Sequence, residues 1–304
     1  MNSVLFVLGG GIGNIVQATP AIQAVAAEGW IVDLLLHCNS SNDLDIFRLP
    51  CVREVYTKAP KCKYDFQLNG PFTPNKKHMA KKLLKTRVNY AQHTPEAEVY
   101  YDLAKQIGVK ISMGDSDIHI GKKGPWPKNT RTVAIYPGSK PDWAMKRWDK
   151  FDHLAERLDG NVIVIGKDSD INSHGNPTWI KRSWNWPEKT EFFSGSLTEA
   201  ALLISRCKFF VGNDGGLAHV AAATGTPTFV LFGPSSDIKN KPFSSTAYSI
   251  GIDLDCRPCQ FQPGGKNKQI FDGGKGNCQR KMKCMRDMSV DFVMDAINLE
   301  MNIE

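Results

Sequence analysis

No apolar run in this 304-residue chain approaches the ~20 residues a helix needs to cross a bilayer; the longest, such as Ile31 to Leu36, fall far short. There is no basic leader at the N-terminus: Ser3 to Leu8 runs straight into Gly9-Gly10-Gly11, which predicts a first buried strand and no secretory signal. A short internal repeat, a long low-complexity tract and a segment like a nucleic-acid-binding module are likewise missing. With 41% hydrophobic and 23% charged residues, a disordered or fibrous chain is excluded. These absences predict a cytoplasmic protein. In that compartment its eight cysteines read as thiols or metal ligands, not as a disulfide frame.

What is present is an alternation of short apolar runs with helical patterns, the signature of βα units around parallel sheets. Strands are expected at Val4–Leu8, Ile31–Leu36, Val52–Tyr56 and Tyr64–Leu68. Helices are expected through Ala21–Val25 and over Glu96–Ile107, where Val99, Leu103 and Ile107 share a face. The loop-rich passage Gly121–Pro127 reads as a linker, and a second series follows it. In that series Val133–Tyr136, Val162–Ile165, Phe209–Val211 and Thr228–Phe232 are strands; Trp148–Leu158, Leu197–Ser205 and Gly216–Thr224 are helices. The expectation is an α/β protein of two Rossmann-like domains facing a cleft. The boundaries are 1–125 and 126–286, with a Cys-rich segment at 256–284 and a C-terminal helix over 287–304.

Two segments carry the chemistry. In Val211-Gly212-Asn213-Asp214-Gly215-Gly216-Leu217-Ala218-His219 a strand ends, two glycines allow a tight turn, and a helix begins at once. Free N–H groups at such a helix start attract anions, and His219 falls on the first turn. The bare structural alternative is an ordinary strand–turn–helix with Asp214 as cap. In Tyr136-Pro137-Gly138-Ser139-Lys140-Pro141-Asp142-Trp143-Ala144-Met145-Lys146-Arg147 a strand opens into a polar loop at its C-terminal end, where open α/β sheets bind ligands. Paired, the two segments predict a diphosphate clamp.

These segments, in this order, resemble glycosyltransferase family 9, whose familiar members are the lipopolysaccharide heptosyltransferases. The resemblance continues at Gly195-Ser196-Leu197-Thr198-Glu199, at Leu231-Phe232-Gly233-Pro234-Ser235 and at Gly13-Asn14-Ile15-Val16-Gln17-Ala18-Thr19-Pro20-Ala21-Ile22; it is thinnest over 38–130. It implies a GT-B fold and inverting, metal-independent transfer from an ADP- or UDP-type nucleotide sugar. Asp214, Gly215, Gly216 and His219 would then surround the donor diphosphate, with Ser139 and Lys146 on its other side. Gly11 and Gly13 would line the acceptor-side loop. Fixed N–H dipoles and an ammonium suit a leaving group that gains charge in the transition state.

The resemblance breaks at Asn14, where the heptosyltransferases carry an Asp expected to deprotonate the acceptor. An amide orients a hydroxyl but cannot take its proton. Asp33, His37, Asp43 and Asp45 follow strand ends and are the other candidates. A rate gain in Asn14→Asp would show that the position faces the acceptor. The glycines Gly9, Gly10, Gly11 and Gly13 leave a dinucleotide fingerprint incomplete, so a dehydrogenase is a weak alternative. The Asp-x-Asp triplets at Asp43, Asp115, Asp168 and Asp253 read as incidental loop acids.

Cys256-Arg257-Pro258-Cys259 followed by Cys278 and Cys284 gives two pairs around a Gly- and Lys-rich loop, which predicts structural zinc; disulfides or an iron–sulfur cluster are the alternatives. Cys38, Cys51, Cys62 and Cys207 show no ligand spacing. The formal charge of +7 concentrates in two places. Lys76, Lys77, Lys81, Lys82, Lys85 and Arg87 stand with no acid among them. From Cys256 to Asp287, eight basic residues face only Asp272 and Asp287. Solvated surfaces are the bland account. An anionic acceptor, a lipid-linked glycan reached at the inner face of the membrane, is the functional one, and nucleic acid is disfavoured. Transfer to another acceptor such as a modified DNA base, and nucleotide-sugar binding without turnover, remain as alternative functions.

Overall fold

The computed structural model describes residues 1–38, 44–78, 80–86, 94–119, 131–171, 184–259, 278 and 280–301. Two parallel sheets organise it. The first holds β1 (Ser3–Gly10), β2 (Ile31–Cys38), β3 (Glu54–Tyr56), β4 (Tyr64–Asn69) and β5 (Ala80–Lys85) in the order β3-β2-β1-β4-β5. The second holds β6 (Thr132–Tyr136), β7 (Asn161–Ile165), β8 (Thr190–Phe193), β9 (Phe209–Asn213), β10 (Thr228–Leu231) and β11 (Ala247–Ile250) in the order β11-β10-β9-β6-β7-β8. Both are doubly wound. The order reverses between β1 and β4 in one sheet and between β6 and β9 in the other. At such switch points the loops diverge at the strands' carboxyl ends and leave a crevice.

Sequence explains most of these elements. β1 is central and flanked by strands on both sides, and its residues Val4 to Leu8 are fully buried, as a parallel strand covered on both faces requires. α1 (Ile12–Val16) and α2 (Thr19–Ala27) follow, with Pro20 in the first turn of α2 where its missing N–H costs nothing. α3 (Glu96–Lys105) packs on α2 and buries Val99 and Leu103 as the periodicity predicts. In the second unit come α4 (Phe151–Arg157), α5 (Asp168–Ile171), α6 (Leu197–Ile204), α7 (Gly216–Ala223) and α8 (Asp237–Asn240). α6 starts on a capping box: Ser196 Oγ accepts from Glu199 N–H at 3.2 Å, and the Glu199 carboxylate accepts from Ser196 N–H at 2.9 Å. The Gly195–Glu199 motif therefore has a local structural reason. A final helix, Val290–Met301, lays Val293 and Ile297 into the second unit's core.

Three strands are absent from the sequence expectations. β5 reads as a charge run because Lys81, Lys82 and Lys85 point outward, yet it is an edge strand on which lysines block further pairing. β8 and β11, four residues each, are also edge strands. The expected linker Gly121–Pro127 lies outside the described residues.

The two units meet closely. α1 packs against α7, and Val220, Ala223 and Ala201 of the second unit join the apolar core of the first. Ser116 N–H donates to Phe243 O at 2.8 Å, and Asp115 accepts from Ser245 N–H at 2.9 Å. The expected α/β architecture of two Rossmann-like domains facing a cleft, GT-B, is the one observed.

Candidate active site

A cavity of about 310 Å³ lies between the units, at both switch points at once. Its lining includes Gly10 to Asn14 after β1, Phe72 after β4, Tyr136 to Lys146 positions after β6, and Asp214 to His219 positions after β9. The size falls at the lower end of the ~300–1,000 Å³ of small-molecule sites.

The second unit's wall is held by buried polar contacts. Asn213, fully buried at the end of β9, donates from Nδ2 to Pro137 O at 2.7 Å and accepts at Oδ1 from Trp148 N–H at 3.1 Å. One amide thus ties the two sequence motifs together. Gly215 and Gly216 bring the N-terminus of α7 to the cavity, where N–H groups that no side chain caps among the described residues form an anion-attracting end. Lys146 Nζ meets Asp214 Oδ2 at 2.5 Å and lies 4.5 Å from the centre of the Trp143 ring. Burial pushes the Asp214 carboxyl up, but the Lys146 ammonium, with smaller help from Ser235 and His219, outweighs it and holds the group below the usual carboxylate range.

His219 is 5% exposed, and its Nδ1 has no hydrogen-bond partner among the described residues. Burial lowers its pKa; Asp214 and Glu96 pull the other way without reversing the shift. The neutral ring keeps one N–H donor and one acceptor. A methyl group on Gly13 would stand 2.5 Å from His219 Cδ2, so only glycine lets α1 approach α7 this closely.

The first unit's wall is built from Gly11, Gly13 and Asn14, all of which line the cavity as expected. Asn14 Oδ1 accepts from Gly11 N–H at 2.8 Å, and Nδ2 donates to Glu96 Oε1 at 2.6 Å. Glu96 Oε2 accepts from Lys239 Nζ at 3.0 Å, an ion pair that joins α3 of the first unit to α8 of the second. Glu96 and Lys239 both line the cavity, and neither was singled out in the sequence. Their only sequence signals are a Glu after Pro95 at a helix start and a lone Lys in a short helix.

Other expected residues are placed elsewhere. Ser139 is buried beside the cavity and outside its lining; its hydroxyl donates to Trp143 O at 3.1 Å and accepts from Arg147 Nε at 3.3 Å. Of the four base candidates, Asp33 is locked by Arg53 and by Tyr64 Oη at 2.6 Å, Asp45 pairs with Arg48 on the surface, and His37 does not line the cavity. Asp43 lies outside the described residues. Two of the triplet acids form ion pairs, Asp170 with Arg147 and Asp255 with Arg280.

The zinc expectation is not met. The neighbouring cysteines lie near enough to Cys259 and Cys284 to help raise those two thiols. Yet among the described residues no three His, Cys, Asp or Glu side chains are placed to hold a metal ion. Two of the sulfurs have partners of their own: Cys259 Sγ–H donates to Cys256 O at 3.1 Å, and Cys278 Sγ accepts from Met282 N–H at 3.3 Å. Burial favours the thiol form, pushing Cys259 up to about 11 and Cys284 to about 12. A tetrahedral site needs converging thiolates.

The exposed lysines Lys76, Lys77, Lys81, Lys82 and Lys85 lie on and before the β5 edge. In the second basic segment Arg257 is turned inward and donates to Gly233 O at 2.7 Å, while Arg280 pairs with Asp255. Arg87, Lys266, Lys268 and Lys275 lie outside the described residues.

Comparison with known proteins agrees with this geometry. The family model of glycosyltransferase family 9 (heptosyltransferase) matches residues 74–268. Lipopolysaccharide heptosyltransferase 2 of Salmonella typhimurium is 30% identical over 173 residues, which take in 53% of this chain and 46% of that protein. The matched part thus spans less than half the length of that curated relative. The structure of E. coli ADP-heptose lipopolysaccharide heptosyltransferase II superposes with a TM-score of 0.67 at 17% identity, covering 99% of both chains. That of TibC, a dodecameric iron-containing heptosyltransferase of enterotoxigenic E. coli in complex with ADP-D-β-D-heptose, has a TM-score of 0.69 at 14% identity and covers 100% of this chain and 77% of that one. The match over most of the chain, on a fold with the same two-sheet cleft, shows that the chain belongs to glycosyltransferase family 9, the heptosyltransferases.

Proposed function

We propose that the protein transfers a sugar, with inversion, from a nucleotide-sugar donor of the ADP-heptose type to an anionic glycan acceptor of the lipopolysaccharide kind. Residues 1–125 serve as the acceptor unit and 126–286 as the donor unit. The observation that carries this reading is the cavity's asymmetry. One wall offers a helix N-terminus, a partly buried lysine and a neutral histidine; the other offers a close-packed glycine loop and a carboxylate.

In the donor half, the diphosphate lies against the α7 N–H groups at Gly215 and Gly216. Lys146 supplies the positive charge, and His219 donates a neutral hydrogen bond. As the bond from the anomeric carbon to the phosphate oxygen breaks, charge grows on the leaving diphosphate. Dipoles already fixed in place stabilise that charge without reorganising, so no catalytic metal takes part. Asp214 holds the Lys146 ammonium in position. The lysines of the β5 edge attract the anionic acceptor and, at the inner face of a membrane, its lipid surroundings. In this reading the contact is peripheral and the protein cytoplasmic; among the described residues no helix is long and apolar enough to cross a membrane.

Calorimetric titration with ADP-heptose and with UDP-sugars tests the donor site. Nucleoside diphosphate release, with deacylated lipopolysaccharide core as acceptor and with or without EDTA, tests the transfer. Binding of one donor, acceptor-dependent release and indifference to EDTA are expected. A donor that binds and is never turned over makes this a binding protein; a rate abolished by EDTA overturns the metal-free mechanism.

A further inference from the structure

Asn14 leaves the reaction without a base where the family's motif expects one. The replacement is not a simple loss, because the amide touches a carboxylate. Glu96 reaches the cavity from the first residue of α3, 82 positions along the chain from Asn14, and is 1% exposed. Among the described residues its oxygens receive Asn14 Nδ2 at 2.6 Å, Lys239 Nζ at 3.0 Å and, at 3.5 Å, Tyr100 Oη. A carboxylate has about four acceptor positions. An incoming hydroxyl can therefore occupy the remaining one while the donors around it fix the group's orientation.

A buried ion pair between two domains has a plain structural account, as a fastener. That account leaves two things unexplained. The pair lines the cavity instead of closing off the interface behind it. And Asn14, whose Oδ1 caps α1 by accepting from Gly11 N–H, spends its donor end on Glu96 instead of on solvent or the backbone, an orientation that complements an ionised carboxylate.

We propose that Glu96 is the general base of the transfer, the carboxylate having moved from the loop after β1 to the start of α3, with Asn14 and Lys239 as its positioning residues. The assignment rests on the glycosyl-transfer reading above. Glu96 takes the proton of the acceptor hydroxyl. The freed oxygen pair forms the bond to the anomeric carbon on the face opposite the diphosphate. The carbon–oxygen bond to phosphate breaks with its electron pair leaving on the nucleoside diphosphate, and the proton on Glu96 returns to solvent after release. Among the described residues the charged and titratable groups facing Glu96 are Lys239 from α8, His219 from α7 and Tyr100 from α3; Asn14 faces it from α1 and is neutral.

The test uses the full chain, ADP-heptose as donor and deacylated lipopolysaccharide core as acceptor. Glu96→Gln is nearly isosteric and keeps an oxygen for Lys239. Its kcat should fall by about 10²- to 10⁴-fold, the usual worth of a positioned base. Calorimetric affinity for ADP-heptose should stay within about threefold, and the acidic limb of the kcat profile should vanish. The double variant Asn14→Asp with Glu96→Gln exchanges acid and amide while preserving the hydrogen bond between them. It should recover kcat to within about tenfold of wild type and regain an acidic limb. Recovery without the limb would mark a packing role and overturn the proposal. So would a Glu96→Gln enzyme that keeps its rate and pH profile, while leaving the donor reading intact. A wild type that binds no nucleotide sugar, or binds one and never releases the nucleotide, overturns both.

Discussion

The two walls of the cavity do the same kind of work by different means. The donor wall is assembled from two short contiguous segments, Tyr136–Arg147 and Val211–His219, joined by Asn213 and by the Lys146–Asp214 pair. The acceptor wall is assembled across distance: a glycine loop after β1, a glutamate from α3, and a lysine from the other domain. Binding a diphosphate needs backbone N–H groups in sequence, so the means are written locally. Removing one proton needs a single carboxylate at one point, and any element that reaches that point can supply it.

If the donor wall is locally built, removing one of its members should damage both stability and binding together. Lys146→Met leaves Asp214 buried with no cation, a change that costs about 3–5 kcal/mol when a buried pair loses one partner. Urea unfolding should show that loss, and ADP-heptose affinity should weaken by about 10- to 150-fold, the ~1.5–3 kcal/mol of a charged hydrogen bond. The sign of the pH dependence differs too. In the wild type the depressed Asp214 pKa adds stability above the ordinary carboxylate range, and this is lost as pH falls through the folded value. In the variant burial is opposed only by the smaller effects of Ser235 and His219 and raises the pKa, so stability falls as pH climbs through that range. The gap between the two proteins should therefore widen from pH 4 to pH 7. A gap that does not change with pH would mean that Asp214 is not held by Lys146.

The acceptor wall responds differently to a local repair. The sequence alone makes Asn14→Asp look like the restoration of a base, with a gain in rate. The structure reverses that expectation, because the new carboxylate would stand about 2.6 Å from Glu96. Two carboxylates so placed share one proton, and at least one pKa rises strongly. A base works only when deprotonated, so the acidic limb of kcat should move up by about 1–3 pH units. Activity below that limb should drop under wild type. A limb that stays in place, with a higher rate, would show that Asn14 faces the acceptor without Glu96 beside it.

This contrast also explains what could be read from the sequence. The central strands and their helices were legible because burial imposes a pattern on consecutive residues: β1, β2, β6 and β9 fall where apolar runs predict them. Of the edge strands only β3 was, since a strand with one neighbour and a solvated face can carry lysines, as β5 does. Of the residues that line the cavity, Asp214, Gly215, Gly216, His219 and Lys146 were singled out by turn, helix-start and loop chemistry. Glu96 was not, because nothing in its own neighbourhood records that α3 begins opposite Asn14. The cysteine pairs carry the opposite lesson. Their spacing fits a metal, but spacing along the chain does not guarantee that four sulfurs point to one centre.

The smallest expected effect marks the edge of the donor wall. Ser139 lies in the right loop for a phosphate ligand, and its motif position suggests that role. Its hydroxyl is nevertheless engaged within the loop, between Trp143 O and Arg147 Nε. Ser139→Ala should then cost about 0.5–1.5 kcal/mol of stability, the net worth of an internal hydrogen bond, seen as a lower urea midpoint at unchanged slope. ADP-heptose affinity should stay within about twofold, since the group that reaches the cavity from this loop is Lys146 and the backbone it rests on is pinned by Asn213. A tenfold loss of affinity with little change in stability would place the Ser139 hydroxyl on the donor after all. The loop would then have to open when nucleotide binds, and the donor wall would share the acceptor wall's dependence on contacts made only with substrate present.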